Sequence, residues 1–72
     1  MKQNKHVVPN SNGGWDVKSG GQTVSHHHTQ KTAIEKANSV GRAEKTEVVI
    51  HGRDGKIRDK NSYGNDPYPP KG

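Results

Sequence analysis

The chain holds five histidines, the side chains best suited to chemistry here, and three stand together as His26-His27-His28. On an extended strand His26 and His28 point to one side, and neutral imidazoles bind zinc, copper or nickel. His6 and His51 become further ligands if the fold brings them near. No Asp, Glu or Cys flanks the run, and His28 falls where strand should give way to helix. His26 and His28 are therefore candidates for adventitious metal contact, and no resident metal or other cofactor is expected. His51, Asp54 and Ser62 supply the residue types of a hydrolytic site. They lack a nucleophile-elbow context, and a short chain offers little cleft to exclude water. No catalytic residue is assigned, and neither enzymatic activity nor a small-molecule substrate is expected.

Binding chemistry concentrates toward the C-terminal end. Gly52-Arg53-Asp54-Gly55-Lys56 lacks the spacing of a phosphate-binding loop and has no helix after it. It reads instead as a hairpin that exposes Arg53, Lys56, Arg58 and Lys60, a group able to grip a nucleic-acid backbone or an acidic protein surface. Asp54 and Asp59 dilute that field. The stretch 63–70 combines Tyr63 and Tyr68 with prolines that favour an extended conformation. It suits either recognition by another protein or an arm laid back over the domain's own sheet.

These groups need elements to hold them. His6-Val7-Val8-Pro9 predicts a short first strand, and the Asn/Gly cluster at 10–14 predicts a turn. Trp15-Asp16-Val17-Lys18 alternates as a half-buried strand does, and Ser19-Gly20-Gly21 turns it back into a third strand from Gln22 to His26. Trp15, Val17, Val24 and Val7 should share one face, with Trp15 as the central core group. Thr29 suits a helix N-cap. Ala33, Ile34, Ala37 and Val40 form one helical stripe, Gly41 lies on it as a point of close approach, and the helix should end near Glu44 or Lys45. Val48-Val49-Ile50-His51 predicts a buried strand. Asp54-Gly55 predicts a two-residue type I′ turn, with Ile57 returning to the face of Ile50 and regular structure ending after Asp59. The expected fold is α+β in the order β-β-β-α-β-β: a three-stranded antiparallel meander, one helix on one face of an antiparallel sheet, then a C-terminal hairpin and an extended tail. One small domain over 1–62 and a tail over 63–72 follow.

Bulk properties bound the rest. Seventy-two residues with 24% apolar side chains, one Trp, no Phe and a mean hydropathy of −1.26 can form only a thin core. Without cysteine there is no disulfide framework and no thiolate metal site. No apolar run approaches a signal peptide or membrane span. A soluble, cytoplasmic protein without membrane contact is the expectation. Net charge is +5, but it is spread: residues 1–31 carry four lysines against Asp16, and residues 42–60 carry six basic groups against four acidic ones.

With those residues in place, the chain resembles a small bacterial and phage family catalogued as domain of unknown function 2188. The resemblance rests on His6-Val7-Val8-Pro9, Gly14-Trp15-x-Val17-Lys18, Thr29-Gln30-x-x-Ala33-Ile34 and above all the run from His51-Gly52-Arg53-Asp54-Gly55 through Ser62-Tyr63-Gly64-Asn65-Asp66-Pro67. It implies a compact bacterial or mobile-element protein with a β-rich α+β fold, and it transfers no catalytic or binding residue. The chain departs from the family pattern at His28, where an acidic residue should precede the capping Thr29. An imidazolium there is unfavourable beside a helix N-terminus.

The leading functional expectation is a non-enzymatic interaction module that binds another protein or itself, in a regulatory role. Its partner would be met through a sheet edge or the tail that carries Tyr63 and Tyr68; Arg53, Lys56, Arg58 and Lys60 complete the possible binding surface. The alternative is a nucleic-acid or ribosome binder using the basic hairpin and the open sheet face. A histidine metal-binding protein stands third.

Overall fold

The computed structural model describes residues 3–63. Its strands are β1 (Lys5–Pro9), β2 (Trp15–Ser19), β3 (Gln22–His27), β4 (Glu47–His51) and β5 (Ile57–Ser62), with one helix, α1 (Gln30–Glu44), between β3 and β4. They form one sheet in the order β3-β2-β1-β4-β5. The meander and the hairpin are thus as expected, in an α+β domain. The sheet is mixed, however, not antiparallel throughout: β1 and β4 pair in parallel, Lys5 opposite Val48 and Val7 opposite Ile50. The cause is the crossover. Fifteen helical residues span about 22 Å, enough to carry the chain back across the sheet so that β4 starts beside the start of β1.

Residue alternation along the ladders sets two faces. Val7 pairs with both Val17 and Ile50, so these side chains, with Trp15 and Val48, meet Ala33 and Ala37 of α1 in the core. Thr29 caps the helix as expected, its hydroxyl accepting from the Thr32 N–H at 3.2 Å. The far end closes on Lys45, a non-glycine residue in the left-handed region (φ 58), with the Thr46 N–H bonding back to the Gly41 carbonyl at 2.9 Å. Gly41 is where the helix comes closest: a Cβ there would lie 2.5 Å from Val48 Cγ2.

Two bulges overturn the expected placement of two apolar residues. The β2–β3 register slips between Val17 and Lys18, which leaves Val24 on the edge strand at 47% exposure instead of beside Val17. The β4–β5 register slips between Ile50 and His51. Ile50 therefore faces Asp59, while Ile57 pairs with His51 and is 66% exposed. The turn chemistry differs as well. Gly52 and Gly55 close a four-residue turn (Gly55 N–H to Gly52 carbonyl, 2.9 Å) in which Gly55 alone has positive φ, so Asp54-Gly55 is not a type I′ pair. That geometry belongs to Gly20-Gly21, at φ 61 and 84 between the paired Ser19 and Gln22. Finally, β5 continues past Asp59 to Ser62, because Lys60, Asn61 and Ser62 still ladder with Val49, Val48 and Glu47.

Lys5 shows what composition could not. It is buried at 3% exposure on the helix side of β1, and its ammonium donates to the Gln3 carbonyl (2.8 Å), Ser19 Oγ (2.9 Å) and Glu44 Oε1 (2.6 Å). All three of its protons are used, and the central strand is tied to the last turn of α1.

Candidate functional site

The N-terminal end of α1 opens onto a cleft of about 440 Å³. Trp15 forms part of its wall from the start of β2, and His28 and Thr29 border it from the β3–α1 junction. Gln30 enters from the first turn of the helix, and Gly52, Arg53 and Arg58 come from the β4–β5 hairpin. The bulge that displaced Ile57 has a consequence here. It turns Arg58 to the helix side of the sheet, where one Nη donates to Gln30 Oε1. Gln30 also donates through Nε2 to the His51 carbonyl at 3.0 Å. It thereby locks the guanidinium of Arg58 to the end of β4. The other arginine is held by stacking: Arg53 Cζ lies 5.2 Å from the Trp15 ring centroid.

The electrostatics are one-signed. Among the described residues neither Arg53 nor Arg58 has a carboxylate within ion-pairing distance. The first turn of α1 contains no acidic side chain, so its partial positive charge is uncompensated from within the helix. Two guanidinium groups, each pre-oriented by a different contact, thus line the cleft beside the positive end of the helix. Such a site accepts a carboxylate or phosphate oxygen.

Other predicted binding residues are dispersed. Lys56 lies on the exposed turn. Lys60 projects on the opposite face from Arg58, 3.8 Å from Glu47. Tyr63 packs partly buried against the core at the other end of the helix, its ring 5.3 Å from Arg42 Cζ. There Arg42, Lys45, Ser62 and Tyr63 line a second cleft of about 320 Å³. Tyr68 and the proline-rich stretch lie outside the described residues. Sequence reasoning missed Arg42, which reads as part of the solvated helix face, and Lys45, which reads only as the helix end, and their link to Tyr63 depends on β5 running to Ser62.

The histidines part company. His26 Nδ1 donates to Asp16 Oδ1 at 2.6 Å across the β2–β3 ladder, so an acidic partner absent from the local sequence arrives from the next strand. That bond, more than any other influence, holds the Asp16 carboxyl below its ordinary value. A bond from Asn10 Nδ2 (2.9 Å) assists, against the opposing effect of desolvation. His27 Nε2 bonds Ser25 Oγ at 2.8 Å, and the His28 ring meets that of His26 edge-on at 6.3 Å. His6 and His51 form a separate pair, with Nδ1 and Nε2 3.1 Å apart. Among the described residues no group of three or more His, Cys, Asp or Glu side chains is arranged to hold a metal ion. The hydrolytic grouping does not assemble either. His51 and Ser62 sit at opposite ends of the β4–β5 ladder, and Asp54 Oδ1 accepts from the Lys56 N–H in the turn. No helix among the described residues is long and apolar enough to cross a membrane.

A family model described as an uncharacterized protein conserved in bacteria (DUF2188) matches residues 5–63. No curated protein and no solved structure matches the chain.

Proposed function

The chain belongs to the family of uncharacterized bacterial proteins DUF2188, and from that starting point we propose that it is a non-enzymatic protein-binding module. It receives an acidic side chain of its partner in the cleft between α1 and the β4–β5 hairpin. One observation carries this reading: Arg53 and Arg58 both line it, held by Trp15 and Gln30 and paired with no carboxylate among the described residues. Lys5 and Lys60, by contrast, each lie beside a carboxylate, Glu44 and Glu47 respectively. A compact two-arginine site suits one or two carboxylates on a folded or extended protein segment. Preformed donors lower the ordering cost of binding, which favours a specific partner over general attraction to polyanions.

A second reading has its own observation. The Arg42/Lys45 cleft lies at the other end of α1, about 18 Å along the helix axis from Gln30 at 1.5 Å per residue. A single-stranded nucleic acid laid along the α1–β5 side would touch both cationic ends. Backbone amide spectra recorded during titration with hexaglutamate, and separately with a decathymidylate, separate the two. Protein binding predicts hexaglutamate shifts clustered at Thr29, Gln30, Gly52, Arg53 and Arg58, with Arg42 and Lys45 unmoved. If only the oligonucleotide binds, perturbs both clefts and weakens steeply with salt, the nucleic-acid reading replaces it. Scattered shifts with both probes would eliminate both.

A further inference from the structure

We propose that His6 and His51 form a one-proton switch: the pair accepts a first proton intact, and a second proton breaks it and releases the β4–β5 turn from the central strand. The geometry fixes where each proton sits. His51 Nδ1 lies 3.0 Å from the Gly55 carbonyl oxygen. A carbonyl only accepts, so His51 Nδ1 carries a hydrogen and, in the neutral ring, its Nε2 is a lone pair. That lone pair faces His6 Nδ1 at 3.1 Å and accepts its N–H. The chain therefore runs from His6 on β1 through His51 on β4 to Gly55 in the turn, each ring donating onward.

The same distances argue against a metal bridge. The ring centroids are 5.4 Å apart, little more than the 3.1 Å nitrogen separation plus the two ring radii, so the two nitrogens point along the line joining the rings. Two in-line bonds to zinc would need about 4 Å between nitrogens, at roughly 2.0–2.1 Å per bond. The pair is built around a proton.

Its response to acid follows. His6 Nε2 is the open basic nitrogen, and protonating it leaves Nδ1–H donating to His51, now as a charge-assisted bond. A second proton has only His51 Nε2 to occupy. Two N–H groups then oppose each other, and two cations adjoin. The surroundings disfavour that state. Lys18 of β2 stands directly across from His6, and Lys60 of β5 flanks Val49 on the same face, partly offset by Glu47 of β4. Ile57 borders His51 without charge, and Asp16 is committed to His26 and Asn10. The helix packs on the other face and brings no ionisable group to the pair. Burial, and secondarily the charge of His51, already hold the His6 imidazole below its ordinary value. His51 Nδ1–H still holds the Gly55 carbonyl in that state, so His51 would move away from His6 together with the turn that carries Arg53, and the cationic cleft would shift with it. That consequence alone rests on the binding reading above.

Nitrogen-15 spectra of the imidazoles in the intact protein test the switch. The expected result is a through-bond coupling between His6 Nδ1 and His51 Nε2 at neutral pH. Two protonation steps of the pair should follow, more than about one pH unit apart, with the Gly52 and Gly55 amides shifting only in the second. Independent titration of the two rings, absence of the coupling, or movement of Gly55 with the first proton would overturn it. Hexaglutamate titrated above and below the second step reads the consequence for the cleft. If the two steps appear but the peptide binds at neither pH, the switch stands and the binding reading fails.

Discussion

Replacing Gly41 by alanine puts the helix–sheet contact under direct strain. On intrinsic preference alone the change should stabilise an internal helical position by about 1 kcal/mol. Here the new methyl would sit 2.5 Å from Val48 Cγ2, inside the 3.0 Å that Cβ atoms essentially never cross. Its other neighbours, Tyr63 Cδ2 at 3.5 Å and the Thr46 carbonyl oxygen at 3.6 Å, are ordinary contacts, so the clash is with one group. Val48 is fully buried and β-branched, which leaves it little freedom to rotate away. The helix must lift by roughly 1 Å to restore a normal carbon–carbon separation of about 3.5 Å. Overpacking of this kind costs about 1–3 kcal/mol. Set against the helix gain, the net loss should be up to about 2 kcal/mol, at about 4–8 °C of Tm per kcal/mol for a domain this size. Thermal and urea unfolding of Gly41→Ala, Val48→Ala and the double variant would measure it. A favourable coupling of about 1 kcal/mol should appear in the double variant, because the cut-back valine makes room for the methyl. A Gly41→Ala protein that melts above the parent would refute the close approach of α1 to β4.

Other outcomes follow from buried polar groups. Thr46 Oγ1 is buried without a hydrogen-bond partner among the described residues, so Thr46→Val, which keeps the shape and removes the hydroxyl, should raise stability by about 1 kcal/mol in urea unfolding. Stability should also fall in acid in two windows. His6 is depressed below its ordinary 6.5, so the unfolded chain binds the proton first. Its contribution is complete above pH 6.5 and is lost as pH drops through the lower folded value. Asp16 is depressed below 3.8, so its contribution is present above that pH and is lost as pH falls through its own folded value. Unfolding curves from pH 8 to pH 2 should therefore show a first loss beginning near 6.5 that His6→Phe removes. Asp16→Asn should flatten the second.

Much of the fold was legible because a few apolar residues fall at telling intervals. Val7, Trp15, Val17, Val48 and Ile50 could only serve one buried face, and the Ala33, Ala37, Gly41 stripe named the helix side that covers it. Thr29 and the helix end near Glu44 and Lys45 were readable from local capping chemistry. What failed was register. A bulge adds one residue without changing composition, so nothing in the pattern revealed that Val24 and Ile57 would be turned outward. Pairing partners across long sequence separations were equally hidden. Asp16 with His26, Lys5 with Glu44 and His6 with His51 are set by strand order, and the parallel β1–β4 contact that joins the last of these pairs was not expected. The hairpin's basic residues were noticed, but only the bulge separates Arg58, which enters the cleft, from Lys60, which does not.

The binding role rests on Arg53 and Arg58 acting together, and removing both positive charges tests it most directly. Hexaglutamate affinity should be measured for the parent, for Arg53→Gln with Arg58→Gln, and for Arg42→Gln with Lys45→Gln, with melting temperature as the control for folding. Losing two charge-assisted contacts, each worth about 1.5–3 kcal/mol at most, should weaken binding by about tenfold or more in the first double variant. The second should stay near the parent, and both should remain folded. Unchanged affinity in a folded Arg53→Gln/Arg58→Gln protein, or an equal loss from the Arg42/Lys45 pair, would contradict a binding site at the start of the helix.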